Sequence, residues 1–426
     1  MSPPRIRPWL TAAAAGLVGL VVGATLSLGA QSARSQPIPI FTLPPTVSPS
    51  VDPAVDLVPK DLRTRPIEDT TFLAWTPGGL TPGFDASATK LRGISDVVVV
   101  ASDTTWMARS FDTDHRLVDD PRPPFDIPIE ASSVRPRDFE GFLAPQYRSV
   151  IAQLADGEGV ISESSAKVRG IGEGGVMEMR VAQHPSRTVP IRIAAVLPDV
   201  FVGATELLVA SEVGAPLGVN NDRYALMIPR GQPSDEQLEN QLRTFISADT
   251  PLQVREPGDT PYPRHGDAVL PQVMLKLQFG EFAARPRPGD PGNLQIDPRW
   301  RKQNIRLVHL PLVGDVQCHK DVLPQLRGIL GELIDRSHSD VIHTEHGCYV
   351  PKFMSNVPNS SVSHHAWGVA IDFNLAGNAF GATPHQPKAL VRTMERWGFV
   401  WGGDWITPDG NHFEWHGPPK EPAASG

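Results

Sequence analysis

The pattern of apolar and polar positions divides this chain into four stretches, each predicting a different kind of structure. From Trp9 to Ala30 the chain is apolar for 22 residues, interrupted only by Thr11, Thr25 and Ser27 and preceded by Arg5 and Arg7. That length spans a bilayer core and the arginines mark the cytoplasmic side, so residues 1–35 predict a transmembrane anchor with the bulk of the chain extracytoplasmic in the cell membrane. A cleaved signal peptide shares this signature, with Leu28-Gly29-Ala30 as a passable cleavage site, and would leave the chain secreted; the length of the run favours a retained anchor. Residues 37 to 66 hold eight prolines among Ser, Thr, Val and Asp. Such a composition buries no core and extends, so 36–66 predicts a semi-rigid linker.

From 67 to 255 short apolar runs alternate with turn residues. SDVVVVAS at 95–102, VPIRIAAVLP at 189–198, TELLVASEV at 205–213 and RYALMIP at 223–229 read as strands. SVIAQLA at 149–155 and SDEQLENQLRTFI at 234–246 read as helices, the second with Ser234 as N-cap and Gln237 near N3. This predicts an α+β domain. Within it Gly170, Gly172 and Gly175 satisfy GxGxxG on paper, but they follow a short helix and lead into the strand-like VMEMRV, the reverse of a dinucleotide-binding turn. The stretch from GEGVISESSAKVRG to TELLVAS resembles the extracytoplasmic domain of MacB-like ABC permeases, which serves as a hint of fold alone.

Pro, Gly and charge between 256 and 264 mark the next boundary, and 256–426 predicts a second α+β domain with its core at 268–418. Its expected elements are a strand around IRLVHLPLVG, a helix VLPQLRGILGELIDR, a strand SDVIHTE, a helix KALVRTMERWG and a final strand carrying HFEW, with the helices collected against a small antiparallel sheet.

Composition narrows the partners. A net charge of -8 and a pI near 5.9 leave no basic footprint for nucleic acid. The only two cysteines, Cys318 and Cys348, lie in a chain expected to be exported, where disulfides persist, so they are expected to pair.

The chemistry concentrates in SVSHHAWGVAIDFN at 361–374 and WGGDWITPDGNHFEWH at 401–416. His365 and Asp372 stand seven apart with Gly368 and Ala370 between them, and His412 joins from the second stretch. Two imidazoles and a carboxylate suit a catalytic Zn2+ with a fourth position left for water. Asp409, three residues before His412, can be aimed by a turn to relay protons.

The combination of Ser363, His365, Gly368, Ala370 and Asp372 with a Trp/Gly-rich stretch and Asp409, His412, Phe413 and Glu414 resembles the D-alanyl-D-alanine carboxypeptidase family of zinc peptidases. That family includes VanY-like carboxypeptidases and phage L-alanyl-D-glutamate endopeptidases, and the D-x-x-H form resembles the endopeptidase branch more. The resemblance implies a zinc metallopeptidase acting on peptidoglycan stem peptides, with His365, Asp372 and His412 as ligands and Asp409 as the proton-transfer group. Ser363 and Trp367 are expected at the substrate, and Glu414 behind a ligand histidine. Lys352 stands where relatives carry arginine, a cation for a substrate carboxylate or oxyanion; lysine keeps the charge but not the planar fork.

Other histidines compete. His416 shares a strand face with Glu414, and His343 and His346 form H-x-x-H, although residues three apart on a strand point to opposite faces. His364 is expected to face away from its neighbour. The substituted Lys352 and the large additional domain also admit a different class of function, a non-catalytic cell-wall binding or scaffolding protein.

Overall fold

Strands β1 (Phe72–Trp75) and β2 (Ile94–Phe111) open a nine-stranded sheet that continues through β3 (Ile127–Val134), β4 (Glu158–Ser162), β5 (Val176–Val181), β6 (His184–Leu197), β7 (Leu207–Ala210), β8 (Asp222–Pro229) and β9 (Gln253–Arg255). The computed structural model describes residues 71–259, 266 and 269–420. The expected anchor and Pro-rich linker lie outside the described residues, among which no helix is long and apolar enough to cross a membrane.

The sheet order is β3-β7-β4-β6-β5-β2-β8-β1-β9, and an additional β2–β3 pairing makes six strands return on themselves. The length of β2 permits this: Ile94 to Ala101 pairs with β8, Ala101 to Met107 with β3, and Met107 to Phe111 with β5. Met107, Ile129, Met177, Ile191 and Leu207 pack together in the core of that ring. Closure of this kind leaves fewer unpaired backbone groups at strand edges.

Local signals act here as their chemistry dictates. Ser234 and Gln237 form a reciprocal capping box at the helix Asp235–Leu242. Gly170, at φ 65°, ends the helix Glu163–Arg169, and the following glycines turn the chain into β5, so the GxGxxG match is a helix stop and a turn. One expectation fails: TELLVASEV is a strand only to Ala210, and Ser211–Leu217 is helical. Gly214 in that helix presses on β3, where an added Cβ would meet Ser133 Cβ at 2.5 Å. Tertiary packing there outweighs the β-propensity of the run.

Residues 270–415 bury a second core around Phe279, Phe282, Trp300, Leu326, Leu330, Trp367 and Phe413. Two hairpins, β10 (Ala284–Arg287) with β11 (Asp290–Ile296) and β12 (Ile305–Leu310) with β13 (Gly314–His319), precede a helix at Leu323–Asp335. That helix buries Leu323, Leu326, Ile329, Leu330 and Leu333, the stripe its periodicity predicts. Strands β14 (Ala370–Asp372), β15 (Phe399–Trp401) and β16 (His412–Trp415) make an antiparallel sheet in the order β14-β16-β15, with a helix at Lys388–Arg396. The architecture is α+β throughout. SDVIHTE, expected as a strand, is irregular apart from a bridge at Glu345. Its backbone bonds to a side chain instead: Asn374 Oδ1 accepts the His343 and Thr344 N–H groups, and Asn374 Nδ2 donates to Val341 O.

The sheet and the second core meet through buried charge. Arg169, Glu206 and Lys276 are fully buried, and Glu281 nearly so. Lys276 Nζ lies 2.8 Å from Glu206 Oε1 and 2.9 Å from Glu281 Oε1, while Arg169 bonds to both carboxylates, at 2.9 Å to Glu281. Burial opposes ionisation of Glu281, but the two cations beside it hold its carboxyl below the usual range.

Candidate metal centre

Register in the small sheet builds the site. In β14 and β16, Asp372 lies opposite His412 and Ala370 opposite Glu414, so these four share one face. Ile371 and Phe413 point to the other face and into the core. His365 arrives on a one-turn 3-10 helix, His364–Ala366, capped by Ser363, whose Oγ accepts the His365 N–H at 3.4 Å. Gly368 lets that turn reach the sheet. It sits at φ 71°, and a Cβ there would lie 2.8 Å from His319 N, whose N–H donates to Gly368 O at 2.8 Å.

The three donor atoms converge. His365 Nε2 is 3.2 Å from Asp372 Oδ1 and 3.2 Å from His412 Nδ1, and His412 Nδ1 is 3.0 Å from Asp372 Oδ1. Donors at about 2.0–2.1 Å around a tetrahedral zinc stand about 3.3 Å apart. Each imidazole is committed on its other nitrogen: His365 Nδ1 lies 3.1 Å from Cys348 O, and His412 Nε2 lies 3.1 Å from Glu414 Oε2. Those bonds use up the ring N–H groups and leave two lone pairs and a carboxylate aimed at one point. Such a donor set fits a cation. Burial disfavours the charged form of His412, but its bonds to Asp372 and Glu414 prevail and push it up to about 10. A proton is therefore the ion that competes with a metal here.

Among the described residues, His365, Asp372 and His412 are the one group of His, Cys, Asp and Glu placed to hold a metal ion. His416 is exposed on the chain beyond β16, and His343 and His346 are exposed, so none of the rivals joins. Asp409 closes a turn in which His412 N–H donates to Asp409 O at 3.0 Å, and its Oδ1 accepts from Asn411 Nδ2 at 2.6 Å. Burial raises the Asp409 pKa, with the neighbouring His412, Asp372, His365 and Lys352 charges modulating it. Lys352 is half-buried, and its carbonyl accepts the Ser363 N–H at 3.0 Å, which sets it beside the metal motif.

Two expectations need correction. Trp367 has no exposed surface; its Nε1 donates to Gly280 O at 3.2 Å and its ring packs on Phe282, so it is a core residue and offers substrate nothing. His364 does not turn away from the site, because the chain there is a tight turn and not a strand. Its Nδ1 lies 2.9 Å from Glu414 Oε2, off hydrogen-bond geometry, and its proximity helps hold the Glu414 carboxyl well below the usual range against burial. The groups at the site that sequence did not single out are Asn411 and the Cys348 carbonyl. Cys318 and Cys348 are bridged, with Cα atoms 5.2 Å apart, so the disulfide ties the loop whose Cys348 carbonyl orients His365 to β13. The D-x-N-H spacing around Asn411 was the one available signal; a backbone carbonyl leaves none.

Residues 357–415 match the D-alanyl-D-alanine carboxypeptidase family. The match covers the stretch that carries His365, Asp372, Asp409 and His412. No curated protein matches the chain. Among solved structures, the periplasmic region of MacB from Actinobacillus actinomycetemcomitans is 11% identical, with a TM-score of 0.30 over 47% of this chain and 93% of that one. The extracellular domain of the noncanonical ABC-type transporter YknZ from Gram-positive bacteria is 13% identical, with a TM-score of 0.27 over 44% of this chain and 100% of that one.

Proposed function

We propose that this chain is a zinc-dependent peptidase hydrolysing peptide bonds in peptidoglycan stem peptides, outside the cytoplasmic membrane. One observation carries the reading: His365 Nε2, His412 Nδ1 and Asp372 Oδ1 converge within 3.0–3.2 Å of one another while the second nitrogen of each imidazole is already bonded. A zinc ion held there supplies a Lewis acid for the scissile carbonyl and a nucleophile near neutral pH. Asp409, raised by burial yet open on one side, takes and returns the proton. Lys352 offers a positive charge for a substrate carboxylate or a developing oxyanion. The Cys318–Cys348 bridge supports an oxidising, extracytoplasmic location.

Metal analysis of the purified chain, with mass spectrometry of muropeptides digested by it, tests the proposal. Zinc bound in proportion to chain and release of D-alanine or of stem peptides is the expected result, and the products tell a carboxypeptidase from an L-alanyl-D-glutamate endopeptidase. Intact muropeptides from zinc-loaded protein would leave the binding or scaffolding reading in its place.

A further inference from the structure

Residues 351–363 form a narrow hairpin leading into the metal motif. Phe353 bridges to Val362, Met354 N–H donates to Ser361 O at 2.9 Å and Ser363 N–H to Lys352 O at 3.0 Å. Lys352 and Ser363 thus stand at its base. Its tip is held in an unusual backbone conformation, with Ser355, Asn356 and Asn359 at φ 52°, 54° and 62°. Non-glycine residues persist in that region when their surroundings determine it.

Those surroundings come from two sides: β11, where Gly292 O accepts the Phe353 N–H at 3.0 Å and Asn293 bridges Lys352, holds the base, and the nine-stranded sheet holds the tip. Thr104 in β2 donates its N–H to Asn359 O at 2.8 Å and its hydroxyl to Ser360 O at 2.7 Å. Trp106 Nε1 donates to Asn359 Oδ1 at 3.2 Å, and the Trp106 ring meets the edge of fully buried Phe353 at 6.2 Å. From β3, Glu130 Oε1 accepts the Ser361 hydroxyl at 3.2 Å. The backbone N–H of Glu130 in turn donates to Glu206 Oε1 at 3.1 Å, which joins this contact to the buried charge cluster. Three side chains from the sheet therefore reach one hairpin, and the hairpin ends at the cation.

We infer that Thr104, Trp106 and Glu130 are positioning residues for the peptidase, with the nine-stranded sheet fixing Lys352 against the metal site through the 351–363 hairpin. This rests on the proposed peptidase activity and gives the sheet a part in it. The metal trio needs no such help, since its register, turn and disulfide lie within residues 318–414. Loss of the docking contacts should therefore spare metal and impair turnover, as a misplacement of about 1 Å at the reacting centre can cost about 100-fold.

The test uses the whole chain with purified muropeptides. Thr104→Val removes the hydroxyl at nearly constant volume, Thr104→Ser keeps it, and Trp106→Phe keeps the ring edge without its N–H. Thr104→Val and Trp106→Phe should each lower kcat/KM by about 10- to 100-fold with the parent's zinc content, and Thr104→Ser should restore it. In a Lys352→Ala background Thr104→Val should cost less than about twofold more, since coupled groups act as one. Losses that multiply in that background, or parental turnover in Thr104→Val, overturn the inference. Amide exchange supplies a readout independent of turnover: Met354 and Ser363 should exchange faster in Thr104→Val while Trp415 does not change. If the parent cleaves nothing, the peptidase reading fails and exchange alone decides the docking; unchanged exchange overturns it.

Discussion

Two clusters of buried charge among the described residues are built on opposite principles. Around Arg169, Glu206, Lys276 and Glu281, two cations meet two carboxylates, every charge has a partner, and the chain is complete without a ligand. Around His365, Asp372 and His412, three acceptors face one another with the available N–H groups turned outward to Cys348 O and Glu414. Burial of polar groups is tolerated when they are paired. A buried set that pairs internally fastens structure, whereas one that leaves lone pairs converging specifies an ion.

The contrast is broken or sharpened by removing members of each cluster. The largest effect is expected from His365→Ala, which should lose the metal and reduce peptide release to background, read by metal analysis and muropeptide digestion. Zinc retained at the parental level in that variant would dismiss the trio. Asp409→Asn should keep zinc and lose about 100- to 10,000-fold in turnover, the range for a general acid-base group. Steady-state rates on the same muropeptides, with zinc measured alongside, check it.

In the paired cluster the cost should appear as stability. Lys276→Met leaves two carboxylates short of one cation, and breaking such a pair costs about 3–5 kcal/mol. Denaturant unfolding should show this loss, with zinc still bound in the folded fraction. A third buried group, His319, belongs to neither cluster. Burial pulls its pKa down to about 4 from an ordinary 6.5. The unfolded chain then binds a proton between those values that the folded chain refuses. Its contribution is whole above pH 6.5 and is lost as pH falls from 6.5 to 4, by about 3 kcal/mol in all. His319→Phe should flatten that part of the stability profile, measured by unfolding midpoints across the pH range. The smallest change is Glu414→Ala, which removes the acceptor behind His412 and should weaken zinc binding by about 10- to 100-fold. Competition with a chromophoric chelator reads it directly.

The convergence of the candidate metal trio was largely legible because its signals are local. Residue types in S-x-H-x-x-G-x-A-x-D and D-x-x-H carry the donors, the glycine and the turn within short spans, and register then needed only to set Asp372 opposite His412. Trp367 was misassigned because an aromatic beside a ligand looks alike whether it faces a cleft or the core. His364 was misjudged because the strand rule was applied to what is a 3-10 turn.

By itself the sequence picked out the trio that converges at the candidate metal site, the capping box at Ser234, the core-facing stripe of the helix Leu323–Asp335 and the cysteine pair, since each is written within a few residues or rests on there being two cysteines in all. Only the tertiary structure decided that β2 would close a ring of strands, that Arg169 and Glu206 would meet Lys276 and Glu281, and that Thr104 would hold Ser360 across 256 positions of sequence. The physical reason is that a charge or a hydroxyl carries no mark of its partner. Its pairing is settled by which surfaces the two apolar cores press together.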